Sequence, residues 1–326
     1  MKRLKHMDYF ERLLEEPKNE LVQKAIEEGK IPVGYSCFFV PEPILSMDKM
    51  FPVKLRAPKA DDIEYATYFI SSLTCSYARS ILQYALDGEY DFLNAIVGTT
   101  SCSHIVKCAE TCEYEDTHKH DKNFVYAVMD TPKKKNYDKT IEAYVYQFKK
   151  KLLNKLAKTY GIDISDEALR KSIKFHNEFN VIMREISDLR KLDNPKITGY
   201  EFHVIYTATK VVPKDMLIDK LKETLEELKQ REGISDYKAR IMVAGSILDN
   251  PEYTKLIEEQ GAIVVADRYC SGSLPGLEPI PEDGDPYFNL CNHYMLISQC
   301  PRNLGTTYEK RDYALKIAKE YKVGGP

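Results

Sequence analysis

The sequence lacks the long apolar run that a membrane-spanning helix needs. No stretch approaches the roughly 18 uninterrupted apolar residues of such a helix, and residues 1–16 are charged and amphipathic, without the apolar segment of a signal peptide. Apolar residues make up 43% and charged residues 30% of the 326 residues, which is typical of a soluble globular protein. We therefore expect a cytoplasmic protein with no membrane partner.

An excess of positive charge is also absent. The chain has 47 basic and 50 acidic side chains, so its net charge is -3. Attraction of nucleic acid or anionic membrane by an overall field needs a basic surplus. We expect no nucleic-acid partner. The basic run Lys133-Lys134-Lys135 is interpreted as a solvated turn, with contact to a phosphate as the less favoured alternative.

Several motifs that would indicate a particular chemistry are missing. There is no glycine-rich phosphate loop of the P-loop or dinucleotide-binding type, so the chain is not expected to hydrolyse ATP itself. There is no compact C-x-x-C pair of the kind found in structural zinc ribbons. A cysteine protease would need a histidine paired with Cys37 or Cys75, and nothing local supports such a pair.

Short apolar runs alternate with segments of helical periodicity, which predicts an α/β protein with mostly parallel sheets. Strands are predicted at 31–40, 51–55, 92–97, 124–129, 239–248 and 262–267, and helices at 8–29, 66–86, 104–113, 251–260, 285–299 and 308–321. Three longer helical segments (139–160, 166–189 and 213–231) form a connector, in which 200–208 fits either a strand or a helical turn.

The predicted architecture is two Rossmann- or flavodoxin-like parallel-sheet domains joined by this connector. The expected divisions are an N-terminal helix (1–29), a first α/β domain (30–137), the helical connector (138–235) and a second α/β domain (236–326). The second domain offers only two clear strands, and the chain ends where a further strand is expected. Two strands do not make a well-buried parallel sheet, so we expect either completion by a partner chain or a truncated, incomplete second domain.

Five of the eight cysteines share one kind of position, where a strand runs into a turn or a helix begins. They are Cys37, Cys75, Cys102, Cys270 and Cys300. Ligands of α/β proteins lie beyond the carboxyl ends of the strands, so thiols from both halves of the chain are expected to meet around one metal centre. Thiolates suit iron-sulfur clusters, zinc or cuprous copper, and we favour iron and sulfur. The simpler alternative for each cysteine is a small buried apolar side chain.

A zinc site is the main alternative metal centre. Its best candidate set is Cys102, His104, Cys108 and Cys112, with His118 and His120 close in sequence. Half of these residues are otherwise ordinary core and surface positions. Cys108, Cys112 and Cys291 are most simply structural.

Several motifs together resemble one known superfamily, that of the 2-hydroxyacyl-CoA dehydratases and benzoyl-CoA reductases. They are Gly34-Tyr35-Ser36-Cys37 with Pro41-Glu42, Cys75 at a helix opening, Gly98-Thr99-Thr100-Ser101-Cys102, Asp267-Arg268-Tyr269-Cys270-Ser271-Gly272, and Cys300 before a helix ending Tyr321-Lys322-Val323. The resemblance runs from about residue 28 to the end. Within the superfamily the pattern is more similar to the double-cubane cluster proteins than to the dehydratase subunits.

The resemblance implies a ligand set. Cys75 and Cys102 match the two cysteines shared across the superfamily, and Cys37, Cys270 and Cys300 match the additional ones of the double-cubane branch. The implied cofactor is an iron-sulfur cluster of the 4Fe-4S type, with an 8Fe-9S double cubane as the larger form. The last ligand of that branch lies beyond the strand expected after Tyr321, and this sequence ends before it.

The resemblance also implies partners and a reaction. Electrons would come from an ATP-hydrolysing activator that carries its own iron-sulfur cluster, and the chain would form a homodimer or pair with a related subunit. Our first hypothesis is low-potential reduction of a small-molecule substrate. The alternative is a subunit of a 2-hydroxyacyl-CoA dehydratase, which removes water from an acyl-CoA substrate by radical chemistry. The second alternative is a zinc-bound or metal-free binding module.

Overall fold

A four-stranded parallel sheet dominates the first half of the chain. Its strands are β1 (Ile31–Tyr35), β2 (Met50–Lys54), β3 (Ala95–Thr99) and β4 (Val125–Met129), in the order β2-β1-β3-β4. All three neighbouring pairs are parallel. The structure, a computed structural model, describes residues 2–60, 62–132, 138–273, 276–297, 300 and 306–324. The predicted α/β fold is confirmed.

Helices connect and flank the strands. They are α1 (Met7–Arg12), α2 (Glu20–Glu27), α3 (Glu64–Phe69), α4 (Ser76–Leu86), α5 (Ser103–Tyr114), α6 (Asp138–Gln147), α7 (Asn154–Tyr160), α8 (Asp166–Asp188), α9 (Gly199–Ala208), α10 (Lys214–Gln230), α11 (Glu252–Glu259), α12 (Pro286–Ile297) and α13 (Thr307–Glu320). A π-helical turn, Phe148–Leu153, joins α6 to α7. In the later part of the chain, β5 (Ala239–Ala244) and β6 (Ala262–Arg268) pair in parallel as a two-stranded sheet.

Apolar side chains cover the four-stranded sheet on both faces. Successive residues of a strand point to opposite faces, and in β3 Ala95 and Val97 belong to one buried cluster while Ile96 belongs to another. Every residue of β1, β2 and β3 is buried. This is the environment of a parallel sheet with helices on both sides, so its polar chemistry is restricted to the strand ends.

The N-terminal segment contains two helices where one was predicted. After α1 the chain turns through Pro17, and the side chain of Asn19 then accepts hydrogen bonds from the backbone N–H groups of Leu21 and Val22. A proline has no N–H to donate within a helix, and an asparagine N-cap favours a fresh start. Both helices bury apolar residues against the rest of the chain. The apolar periodicity therefore continues from one helix to the next and hides the break.

The predicted helix at 66–86 is also broken, between α3 and α4. The backbone N–H of Leu73 donates to Ser71 Oγ at 3.2 Å, and that of Thr74 donates to the Ser71 carbonyl at 2.8 Å. Serine side chains compete in this way with helical hydrogen bonds. The break makes Cys75 the N-cap of α4, so this cysteine lies at a helix N-terminus.

The segment at 200–208, for which the sequence allowed either structure, is helical. Thr198 caps α9 by accepting from the Glu201 N–H, and the Glu201 side chain accepts from the Thr198 N–H. This reciprocal capping box satisfies two N–H groups that would otherwise be unpaired. The helix is buried almost throughout, which explains why its apolar pattern lacked a visible polar face.

Gly98 in β3 is required by the close approach of α5. A Cβ atom built at Gly98 would lie 2.5 Å from the Cβ of Ala109, closer than two carbon atoms can pack. We expect Gly98→Ala to lower the free energy of unfolding by about 1–3 kcal/mol through overpacking, as measured by urea denaturation. The double variant Gly98→Ala, Ala109→Gly removes the clash and should recover most of the loss. An unchanged single variant would show that α5 can shift at no cost.

Three further predictions concern membrane-spanning helices, the domain boundaries and the basic run. No helix among the described residues is long and apolar enough to cross a membrane. The domain boundaries remain predictions. The basic run at 133–135 lies outside the described residues.

Candidate functional site

The order of the strands creates a crevice between β1 and β3. The chain leaves β1 toward β2 on one side and returns to β3 on the other, and ligands of such sheets bind at this switch point beyond the carboxyl ends of the strands. Cys37 follows β1, and Ser101 follows β3. The Cys37 Sγ atom lies 3.2 Å from Ser101 Oγ, which is 2.7 Å from Thr99 Oγ1. A thiol and two hydroxyls therefore line the switch point.

Cys75 and Cys102 occupy equivalent positions, at the N-termini of α4 and α5. Neither side chain accepts a capping hydrogen bond from its own helix, so both sulfur atoms are available to another group. The backbone N–H of Cys75 donates to Nδ1 of His104 at 3.1 Å, which ties the two helix starts together. Unpaired N–H groups and the helix dipole stabilise a thiolate at such positions.

Cys270 and Cys300 approach from the later part of the chain. Cys270 follows β6, and its backbone N–H donates to the Ser246 carbonyl at 2.6 Å. Cys300 is buried, and both cysteines pack against the same core cluster that Cys37 contacts. Three of the five predicted cysteines are thus brought to one region although 233 positions separate Cys37 from Cys270.

The ionisation of Cys270 depends on the other thiols. Burial is the largest cause of a rise in the pKa of its thiol to about 12. Three other thiols raise it further by charge repulsion. They are, in order of effect, Cys37, Cys300 and Cys102. Four of the five predicted cysteines therefore share one electrostatic environment, and Cys75 joins them only through the start of α5.

One buried cation lies among these thiols. Lys54, the last residue of β2, is 6% exposed, and its Nζ lies 5.3 Å from the ring centroid of Tyr35. Burial lowers the pKa of Lys54, whereas the charges of Cys37 and Cys270 raise it. A lysine beside cysteines favours their thiolate form. No sequence pattern pointed to this residue, because it sits within an apolar strand.

The donors gathered at this edge are sulfur atoms, and their chemistry can be compared with that of the implied cluster. Within the described ranges, no group of three or more His, Cys, Asp or Glu side chains could hold one metal ion. In an iron-sulfur cluster each iron takes its own thiolate, so the ligands surround a larger inorganic core. Thiols lose their protons on binding a metal. The thiols at this edge have the donor chemistry that such a core takes.

Among the described residues, the candidate zinc set does not form a group of three or more side chains that could hold one ion. Cys108 and Cys112 are buried, and a hydrogen bond between them, followed by burial, raises the pKa of Cys108 well above its usual value. His104 faces Cys75. His118 stacks on Phe124 with ring centroids 3.7 Å apart. Cys291, also predicted to be structural, is buried in the core.

A buried group of charges behind the thiols was not found by sequence analysis. Glu42 accepts hydrogen bonds from Tyr35 Oη at 2.7 Å, from Lys210 Nζ at 2.8 Å and from Lys214 Nζ at 2.5 Å. Lys214 Nζ also lies 3.3 Å from Nδ1 of His176. Of this group, only Tyr35 and Glu42 belonged to motifs that stood out in the sequence. The partners His176, Lys210 and Lys214 come from segments more than 100 residues away, so no local pattern could reveal them.

The two lysines share one carboxylate, and their pKa values diverge. Burial alone would raise the pKa of Glu42, but the charges of Lys210 and Lys214 hold it well below its usual value. Burial lowers the pKa of Lys214 to about 8, with repulsion from Lys210 adding to the effect against the attraction of Glu42. The pKa of Lys210 is raised by Glu42 and Tyr206 despite burial. Lys214 is the weaker cation of the pair.

These charges border a small interior pocket. Glu42, Lys210, Lys54 and Cys270 are among its lining residues. Its volume is about 30 Å³, which is room for one or two water molecules. The pocket connects the buried charges with Cys270.

Beyond β6, a buried ion pair holds the loop that carries Cys270. Asp267 Oδ1 accepts from Arg190 at 2.9 Å, and both side chains are almost fully buried. The other carboxylate oxygen accepts from the Ser273 backbone N–H at 2.5 Å. Asp267 therefore fixes both sides of the turn around Cys270.

The fold and this site define a class of α/β enzyme with a ligand crevice at a thiol-lined sheet edge. The family model "2-hydroxyglutaryl-CoA dehydratase, D-component" matches residues 37–325, and the chain belongs to that family. The predicted superfamily is confirmed, and with it the prediction of an enzyme of this family.

Curated relatives cover most of the chain. It is 24% identical to the (R)-phenyllactyl-CoA dehydratase beta subunit of Clostridium sporogenes, over 98% of this chain and 84% of that protein. It is 21% identical to the lactoyl-CoA dehydratase subunit beta of Anaerotignum propionicum, over 94% and 80%. It is 22% identical to the (R)-2-hydroxyglutaryl-CoA dehydratase, subunit beta, of Acidaminococcus fermentans, over 86% and 72%. These names favour our alternative hypothesis, a dehydratase component, over the first hypothesis of a small-molecule reductase.

Proposed function

We propose that the chain is a subunit of a 2-hydroxyacyl-CoA dehydratase that holds an iron-sulfur cluster at the thiol edge of its sheet. The observation that carries the proposal is the packing of Cys37, Cys270 and Cys300 against one core cluster, and the charge of Cys102 also acts on Cys270. Cys75 would complete the ligand set from the start of α4. The family match and the dehydratase relatives support the reaction class.

The cluster, when bound, would supply a single low-potential electron to the thioester and so permit loss of the 2-hydroxyl group. The protein's own residues would prepare the site. Cys300 is buried and the other four predicted cysteines are partly buried, and the Ser101 hydroxyl lies within hydrogen-bond distance of Cys37 Sγ and of Thr99 Oγ1. Lys54 offsets part of the negative charge of the bound thiolates. Hydrogen bonds and local charge of this kind set the potential of a cluster.

A second, related polypeptide is part of the proposal. The pocket beside Cys270 has a volume of about 30 Å³, whereas sites for small-molecule ligands typically enclose about 300–1,000 Å³. An acyl-CoA thioester therefore needs space beyond this pocket. We propose that a related subunit provides the rest of the substrate site and that an ATP-hydrolysing activator delivers the electron. The relatives from Clostridium sporogenes and Anaerotignum propionicum are named as beta subunits.

The test is anoxic coproduction of the chain with a partner subunit of the same family and an activator. We expect bound iron with acid-labile sulfide, and dehydration of at least one (R)-2-hydroxyacyl-CoA among thioesters with aromatic, small aliphatic and acidic side chains. Product formation is measured by chromatography. Zinc without iron, or protein without metal, would overturn the cluster assignment. Iron-loaded protein that converts none of the thioesters would overturn the reaction.

The small-molecule reductase remains a second candidate because of one observation. Of the cysteines that match the double-cubane branch, Cys37 and Cys300 both act on Cys270 through their charge, as Cys102 also does. A larger cluster needs such additional thiolates. A reductase would purify as one polypeptide and reduce a small alkyne with electrons from the activator, whereas a dehydratase subunit would require its companion and a thioester.

A further inference from the structure

A chain of charged side chains links the interior pocket with a second cleft, which the start of α10 helps to line. The cleft has a volume of about 420 Å³, and Lys214 is among its lining residues. Lys214 Nζ donates to one carboxylate oxygen of Glu42, which lines the interior pocket beside Cys270. The path from cleft to pocket therefore crosses two hydrogen-bonded side chains.

We propose that Lys214 and Glu42 form a proton relay that carries protons from this cleft to the pocket beside Cys270. The proposal deepens the proposed function, and rests on it, because a 2-hydroxyl group that leaves as water needs one proton. Lys214 would pass a proton to the Glu42 carboxylate, and the neutral Glu42 would then release that same proton into the pocket. Lys214 would then regain a proton from water in the cleft. One proton enters for each that is delivered, and no electron moves along the path.

The contacts of Glu42 suit a relay. One carboxylate oxygen faces Lys214, and the other accepts from Lys210 and Tyr35. The second pair of bonds fixes the carboxylate, so its orientation survives the passage of a proton. Because its pKa is held low, a protonated Glu42 is a strong acid that quickly releases the proton to a basic leaving group.

The surroundings of Lys214 suit the residue at which protons enter the relay from the cleft. Lys214 must exist in both protonation states near neutral pH, and its pKa of about 8 allows this. His176, whose pKa burial and Lys214 hold well below its usual value, remains neutral and accepts from Lys214. The charged or titratable side chains that act directly on Lys214, by charge or by hydrogen bond, are Glu42, Lys210 and His176. Those that share the cleft are Lys30, Asp48, Asp163, Lys171 and Asp215.

The titration of Lys214 can be measured without substrate or iron. In protein labelled with ¹³C at the lysine Cε, the resonance that Lys214→Met removes should titrate near pH 8 in the unmodified chain. Glu42→Gln removes the attracting charge, so the same resonance should titrate at least one pH unit lower. Titration above pH 10 in the unmodified chain would overturn the relay, because Lys214 would then not release a proton near neutral pH.

The second measurement uses the assembled, activated enzyme with a thioester that it converts. Arginine keeps the charge opposite Glu42 but does not lose its proton in proteins, so Lys214→Arg should lower the rate by about 10²-fold with unchanged iron content and melting temperature. Lys214→Ala should lower the rate similarly. Added methylamine, which can enter by the cleft and replace the missing amine, should raise the rate of this variant at least tenfold. Lys171→Met, an exposed change in the same cleft, serves as the control and should retain the full rate.

The pH profile gives a third readout. Only protonated Lys214 donates, so the rate should be constant below its pKa and fall as the pH rises through about 8. Full activity of Lys214→Arg, or no rescue by methylamine, would overturn the relay. Failure of the unmodified enzyme with every thioester would instead count against the proposed function, and the lysine titration would still decide the relay.

Discussion

Cys102→Ser is expected to remove most of the iron that the anoxically purified protein binds. Cys102 is the N-cap of α5, where its sulfur makes no capping bond, and it acts on Cys270 through its charge. A serine hydroxyl is a hard, weakly acidic ligand that replaces a soft thiolate poorly. Cys75→Ser should lose a similar share. Iron and acid-labile sulfide per chain are the measurements.

Cys291→Ser is the matched control. Cys291 is fully buried in α12, and burial is the largest cause of the rise in its pKa, with no other cysteine contributing. This variant makes the same replacement of sulfur by oxygen at a buried position. It should keep near-normal iron, provided that its circular dichroism spectrum matches that of the unmodified protein. Equal iron loss in all three variants would show that serine disrupts the fold and would refute the assignment of Cys75 and Cys102 as ligands.

The sheet was predictable because each of its strands is marked by a short stretch of neighbouring residues in the sequence. A parallel strand buried on both faces is a short apolar run, and the runs at 51–55 and 124–129 coincide with β2 and β4 almost residue for residue. Cys75 was identified through a motif that resembles a family, although the helix around it was predicted without its break. That break depends on the hydroxyl of Ser71, which accepts one hydrogen bond from the Leu73 N–H. A single hydrogen bond of this kind leaves no visible pattern in the sequence.

The buried charges could not be predicted from the sequence. Lys210 and Lys214 occupy a segment whose lysines look like the solvated face of a helical connector. Only the packing of that segment against the loop after β1 turns them toward Glu42. Composition and periodicity describe what a segment prefers, whereas the pairing of a charge depends on which distant segment covers it. The relay is therefore a property of the tertiary structure alone.

Asp267→Ala is expected to lower the free energy of unfolding by about 3–5 kcal/mol. Arg190 would keep its charge in a site where its side chain is 2% exposed, packed on the Phe202 ring at 3.5 Å from the centroid. An uncompensated buried charge is far more costly than the loss of a surface pair. Asp188→Ala removes an exposed carboxylate that pairs with Lys191 at 2.7 Å and should cost less than about 1 kcal/mol. Urea denaturation of both variants is the measurement.

The same pair predicts a pH dependence that separates charge from packing. Burial alone would raise the pKa of Asp267, but Arg190 and the Ser273 N–H lower it below its usual value. A carboxylate of lowered pKa stabilises the fold above its unfolded pKa of about 3.9, and this contribution is lost as the pH falls through the folded pKa. The stability gap between the unmodified protein and Asp267→Ala should therefore be constant from about pH 5 to 7 and shrink below about pH 4. A gap that persists in acid would mean that lost packing, and not the charge of Arg190, governs the turn that carries Cys270.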